Sequence, residues 1–260
     1  MARVRLRWNS LLESAAVLGV TAYALGTEIG TYSQLIIQGG GEDGLTYEAY
    51  SRDMLLALRS GSWKGFLLGF EQVFYFMPGL RYLISLEKIF FGETHLLGLA
   101  LLLFLSVLVW RLIGLLVDNK ILRIATFCGF LFIDKSARIL ALDFGNIASY
   151  TLWRLTEPWA LILLLAALWI VLKSRASREI SYIGGLLLGF AVLLRPNIVL
   201  IIPAFSILLI FDDERKFSWA RLFAFASGLS PILLMLLHNK IFGNEWVLFT
   251  TASRIPENQW

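Results

Sequence analysis

Long apolar runs, each closed off by a short charged cluster, limit what this chain of 260 residues can fold into more than any other feature it carries. A hydrocarbon core about 30 Å thick asks roughly 20 consecutive apolar residues of a spanning helix, and the rhythm of these runs meets that demand. Composition agrees: 58% of residues are hydrophobic and 16% charged, with a mean hydropathy of +0.71. Soluble domains hold about half apolar and a quarter charged residues. The fold class expected is therefore all-α and polytopic in a membrane. About seven transmembrane helices fall at residues 11–27, 95–117, 121–133, 157–173, 181–194, 197–211 and 219–241, in a single module over 1–260. The runs at 121–133 and 181–194 are short for a full crossing, as in helices that stop below the surface around a cavity.

Charge placement orients such a module. The segments MARVRLR, DNKILR, KSRASR and DDERK carry much of the Lys and Arg and alternate with apolar runs, so they are expected on the cytoplasmic side with the N-terminus. The opposite side then receives a long first loop over 39–94, a loop over 134–156, the tight RPN turn at 195–197 and the tail after 242. Retention of basic clusters accounts for the net charge of +4 without nucleic acid as a partner. A basic start followed by an apolar run and AYA at 22–24 also fits a secretory signal, although the later runs would not need one to insert. The single cysteine, Cys128, forbids an intrachain disulfide.

The first outer loop is patterned rather than random. From residue 45 to 58 apolar side chains recur mostly at three and four, and MPGLRYLISLEKIFFG over 77–92 starts near a proline and stops at a glycine. Two interfacial helices along the outer membrane face are expected. Ahead of them, IIQGGGEDGLTYEAY places Glu42 and Asp43 just beyond the first run. Asp43 or Thr46 capping the helix that follows, with Glu42 in solvent and the glycines making the turn, explains the pair locally. A carboxylate that accepts a proton from an acceptor, or holds a cation, explains it functionally.

A second set of candidates is basic and outward-facing: Arg81, Lys135, Arg138, Arg154 and Arg195. Arg195 ends GGLLLGFAVLLRPN between two short runs, where a buried cation near the bilayer surface calls for an anion such as a phosphate. Glu157 opens EPWALILLLAALWIVLK, where helix capping explains it and a site acid is the other reading. No H-E-x-x-H pair, phosphate-cradling P-loop or G-x-S-x-G elbow occurs.

The order of these features resembles the GT-C fold glycosyltransferases that use polyprenyl-phosphate sugars, especially bacterial members related to protein O-mannosyltransferases and aminoarabinose transferases. The residues that carry the resemblance are DGLTYEAYSRDMLLAL after the acidic pair, FMPGLRYLISLEKIFFGET leading into a long run, and LLRPN in a later turn. That family usually has a second proline where this chain has Gly79. The resemblance implies a membrane glycosyltransferase with its active site on the extracytoplasmic side of the cell membrane. It would move a sugar from a polyprenyl-phosphate donor to an acceptor glycan, lipid or protein, with inversion. Asp43 or Glu42 would be the catalytic carboxylate, and Arg195, Arg138, Lys135 and Arg81 would bind the lipid phosphate. A divalent metal at Glu42 and Asp43 is an open cofactor. Family members continue into further spans and often an outer domain. A chain stopping in NEWVLFTTASRIPENQW is thus expected to be a fragment or a short form. Two other classes stay open: a membrane scaffold keeping the fold without catalysis, and a secondary transporter or lipid flippase. The second would want ionisable groups at mid-membrane depth and related halves, which the runs do not show.

Overall fold

The structure, a computed structural model, describes residues 2–34, 41–74, 77–132, 144–173, 177–210 and 218–248, without the side chains of 2–10, 27, 41, 42 and 210. Every regular element among them is helical: α1 Ala2–Leu25, α2 Gly41–Arg59, α3 Trp63–Leu68, α4 Gly79–Phe91, α5 Leu96–Leu116, α6 Lys120–Phe132, α7 Phe144–Leu152, α8 Glu157–Lys173, α9 Arg178–Leu194, α10 Ile202–Ile210, α11 Trp219–Gly228 and α12 Pro231–Gly243. Gly26–Ser33 and Pro196–Ile201 are 3-10 helices. The chain is all-α, as its patterning requires.

Helix length departs from the seven-span expectation. Among the described residues α5, at 21 residues, is the one continuous helix long and apolar enough to cross a membrane alone. Helices α11 and α12 reach that standard only together, with a 43° bend between them. The first expected span falls in α1, whose apolar part is the shorter stretch Leu11–Leu25, and others coincide with shorter helices, such as α6 at 13 residues and α8 and α9 at 17. At 1.5 Å per residue, 17 residues make about 26 Å, less than a hydrocarbon core of about 30 Å.

Local chemistry sets these ends. The Ser62 hydroxyl accepts the Gly65 amide at 3.1 Å to start α3, and Gly69 closes it in a left-handed conformation at φ +60°. Helix α9 starts where Ser177 accepts the Ile180 amide at 3.4 Å. It stops at Arg195 because Pro196 forces the residue before it into extended backbone, here φ −146° and ψ 109°. Pro231 opens α12 and makes the break from α11.

The chain divides into two compact units. The first comprises residues 1–38 and 91–153. In it α1 packs on α5, with the Arg111 guanidinium donating to Ser14 Oγ at 3.0 Å. Tyr32 is fully buried, donating from its hydroxyl to the Ala148 carbonyl at 3.2 Å, while its own carbonyl accepts the His95 amide at 2.9 Å. Arg123 folds back from α6, its guanidinium 3.9 Å from the Trp110 ring centre.

The second unit comprises residues 39–90 and 154–260. Helix α9 is its axis and packs on α8, α11 and α12. Ala167, Val171, Leu188, Phe205, Leu209 and Phe225 form the core there. At the α9–α11 crossing a Cβ on Gly185 would collide with the Phe225 carbonyl oxygen, and one on Gly228 with the Tyr182 carbonyl oxygen. Gly185 and Gly189 form a G-x-x-x-G pair, the small-residue spacing that lets helix backbones touch. A similar approach explains Gly79, where the resemblance expects proline. A Cβ there would lie 2.8 Å from the Leu193 carbonyl oxygen at the end of α9.

The two helices expected at the interface exist as α2 and α4, and they pack together: Ser85 Oγ is 3.4 Å from the Ser51 carbonyl oxygen and 3.9 Å from Met54 Sδ. Helix α2 buries Tyr47 and Met54, and α4 buries Leu80 and Ile84, as their patterning requires, but buried charges accompany them. Helix α4 buries Arg81, Glu87 and Lys88 and exposes Leu86, Ile89 and Phe90.

Substituting Gly185→Val is expected to force α9 and α11 apart and cost about 1–3 kcal/mol, seen as a lower thermal midpoint. Gly19→Ala in α1, with nothing within 4 Å of its Cβ position, should leave the midpoint unchanged or slightly raised.

Candidate functional site

A cavity of about 330 Å³ opens in the second unit where three helix ends meet. The first two turns of α2 contribute Asp43 and Tyr47, the start of α8 contributes Thr156 and Glu157, and the break after α9 contributes Arg195 and Asn197. Each is there for a backbone reason. Asp43 lies in the first turn of α2, Thr156 accepts the Ala160 amide at 3.1 Å through its carbonyl, and Arg195 is held extended by the proline after it. Met77, Leu155, Leu194 and Pro196 complete an apolar wall.

Arg195 and Glu157 form an ion pair across this space, Nη1 to Oε1 at 2.7 Å, with both side chains about 40% exposed at 41% and 39%. Thr156 ties the pair: its hydroxyl lies 3.3 Å from Arg195 Nη1 and 3.3 Å from Glu157 Oε2. Tyr47 faces the same acids. Burial pushes its phenol up to about 12, Arg81 pulls it back, and the charges of Asp43, Glu71 and Glu157 add to the rise. Tyr47 therefore stays protonated and can donate a hydrogen bond at any physiological pH.

The expected candidates separate on this geometry. Asp43, Arg195 and Glu157 share the cavity. Glu42 is the second residue of α2, but its side chain is outside the described residues, as are Lys135 and Arg138 entirely. Arg81 does not line the cavity. It is fully buried, with Nη2 at 2.6 Å from Glu71 Oε2 and Nη1 donating to the Gly69 carbonyl. Its guanidinium lies 4.4 Å from the Tyr50 ring centre and 5.0 Å from that of Phe74. A charge so enclosed fastens the turn at residues 69–74, and the protein supplies its anion. Arg154 is likewise turned inward, 4% exposed in a left-handed conformation at φ +57°. It pairs with Glu87 through Nη1, and its Nε lies 3.8 Å from Glu48 Oε2.

Glu48 is the centre of that buried network. Lys88 Nζ lies 2.6 Å and Arg52 Nε 3.0 Å from its Oε1. Burial pushes the Glu48 carboxyl up, but hydrogen bonds from Lys88 and Arg52 and the charges of Lys88 and Arg154 outweigh it and hold it below the ordinary carboxylate value. Sequence reasoning missed this network, as it missed Tyr47, Thr156 and Asn197 in the cavity. The i,i+4 spacing of Glu48 and Arg52 was the readable part, and Thr-Glu-Pro at 156–158 is a helix-start signature. Among the described residues no group of three or more His, Cys, Asp or Glu side chains is gathered as a divalent cation requires. The metal expectation at Glu42 and Asp43 thus rests partly on a side chain outside the described set.

A depressed Glu48 value means folding favours its ionised form. That stabilisation is complete above the unfolded carboxyl value and is lost as pH falls through the lower, folded one. Lys88→Met removes the closest partner of a buried charge. It should cost about 3–5 kcal/mol and flatten this acid-side loss, both readable in thermal melts from pH 7 downward. No protein-family model, characterised protein sequence or solved structure matches this chain, so the chemistry of the cavity carries any functional reading.

Proposed function

We propose that the protein is a membrane glycosyltransferase, or the core module of one. It transfers a sugar from a polyprenyl-phosphate donor to an acceptor outside the cytoplasm. The observation that carries this reading is that Asp43 and Arg195, far apart in the chain, line one cavity. Asp43 is the general base, taking the proton of an acceptor hydroxyl or amine as that atom forms a bond to the anomeric carbon. The bond from that carbon to the phosphate oxygen breaks with inversion. The charge arriving on the departing lipid phosphate meets Arg195, whose planar fork suits phosphate oxygens. Tyr47, Thr156 and Asn197 supply hydrogen-bonding groups for sugar hydroxyls.

The multi-pass arrangement in a cell membrane, with this cavity extracytoplasmic, belongs to the same proposal. It is supported by large apolar side chains left outside on several helices, among them Phe90, Leu200, Phe223 and Ile241. Lipid removes the cost that water would impose on such faces. Helices α8 and α9, too short for a full crossing, have ends on the cavity, where polar backbone groups find partners or water.

The test is sugar transfer in membranes with a labelled polyprenyl-phosphate sugar. Asp43→Asn should lower kcat by about 10²–10⁴ with little change in KM, the range of general base catalysis. Arg195→Gln should lower kcat by about 10²–10³, the cost of removing a donor to developing charge. Full transfer by Asp43→Asn would sink the assignment of the base.

A further inference from the structure

We propose that Glu157 is a displaceable internal ligand of Arg195, holding the guanidinium until a phosphoryl oxygen takes its place. The inference rests on the reading of Arg195 as a phosphate-binding group and specifies how that site is kept ready. Among the described residues Arg195 is partnered through Nη1, by Glu157 at 2.7 Å and Thr156 at 3.3 Å, while its Nε and Nη2 have no partner. A guanidinium binds phosphate through two nitrogens in a fork. Glu157 thus occupies one position of that fork and leaves the others unpartnered on a side chain that lines the cavity.

Charge gives the pair its second property. Asp43, Glu157 and Arg195 together leave the cavity with one net negative charge at neutral pH, which opposes an incoming anion. Exchange removes the opposition at the guanidinium, because the carboxylate that leaves Arg195 has another favourable position. Glu157 is the first residue of α8, where the amide end of a 17-residue helix stabilises a carboxylate. Thr156 Oγ1, within reach of both partners, is placed to follow either. The backbone at Arg195 is fixed by Pro196 and by its amide bond to the Ala191 carbonyl at 2.8 Å, so the side chain alone moves. Glu157 is on this account a positioning residue. It holds the Arg195 guanidinium at the cavity wall and sets the affinity that phosphate must exceed.

The shared chemistry of the ligand is a phosphoryl group, and two probes separate its sources: farnesyl phosphate in detergent micelles and inorganic phosphate. Binding to the full-length protein is measured by titration calorimetry for wild type, Glu157→Gln, Asp43→Asn and Arg195→Gln. Glu157→Gln should tighten binding about fivefold, the upper range for a half-exposed ion pair. Asp43→Asn, which removes the same charge without freeing Arg195, should tighten it less than about twofold. Arg195→Gln should abolish it. Damage to the fold does not produce a gain in affinity, so a structural role for Glu157 would not mimic this result. A gain with farnesyl phosphate alone assigns the group to a lipid headgroup, and a gain with both probes assigns it to phosphate in general. Equal gains in Glu157→Gln and Asp43→Asn, or weaker binding by Glu157→Gln, overturn the exchange. Wild-type binding that depends on Arg195 then leaves the phosphate site standing. If neither probe binds any form, the phosphate site and the exchange fall together.

Discussion

Within the second unit, the backbone contact of α9 with α11 sets the rest. Two glycines, Gly185 and Gly228, let the main chains meet where any Cβ would strike a carbonyl oxygen. Helix α9 is thereby held at a distance that also suits α8 and α12, and its C-terminal end falls where Arg195 reaches Glu157. The position of the cavity follows from that close approach and from the proline that terminates the helix after it.

Charge is managed in two ways in this unit. Arg81 with Glu71, and Lys88, Arg52 and Arg154 with Glu48 and Glu87, form closely paired networks, mostly buried, that join α2, α4 and the turns beside them. Breaking such a network is costly because one buried charge is left without its counterpart. Arg195 and Glu157 are different. They are half exposed, and water competes for both, so their pairing is weak enough to be exchanged. A cation that is to meet a ligand has to be of the second kind.

Much of the architecture was legible from apolar periodicity, proline and glycine. The sequence reading placed helices at the positions of α5, α8, α9 and α11 with α12, and it found α2 and α4 in the first loop. Among the described residues fewer helices are long enough to cross a membrane alone than the runs suggest, because an apolar run says nothing about where a helix bends or tightens into 3-10 geometry. The 43° break at Pro231 and the 3-10 segment after Pro196 show the difference. The second proline that the resemblance expects is absent for a reason no sequence pattern holds: at position 79 the α9 backbone occupies the space of a side chain.

The candidate site divides along the same line. Sequence alone determined that the chain is helical and unusually apolar, that Asp43 follows the first apolar run, and that Arg195 sits at a helix end fixed by Pro196. These are consequences of local backbone preference and of burial. Tertiary structure alone decided which charges face a cavity. Arg81 and Arg195 look alike in sequence, yet one is fully enclosed with Glu71 and aromatic rings while the other shares an open space with Asp43 and Glu157. The physical reason is that a charge's partner is chosen by distance in three dimensions, and residues such as 43, 157 and 195 become neighbours only after their helices pack.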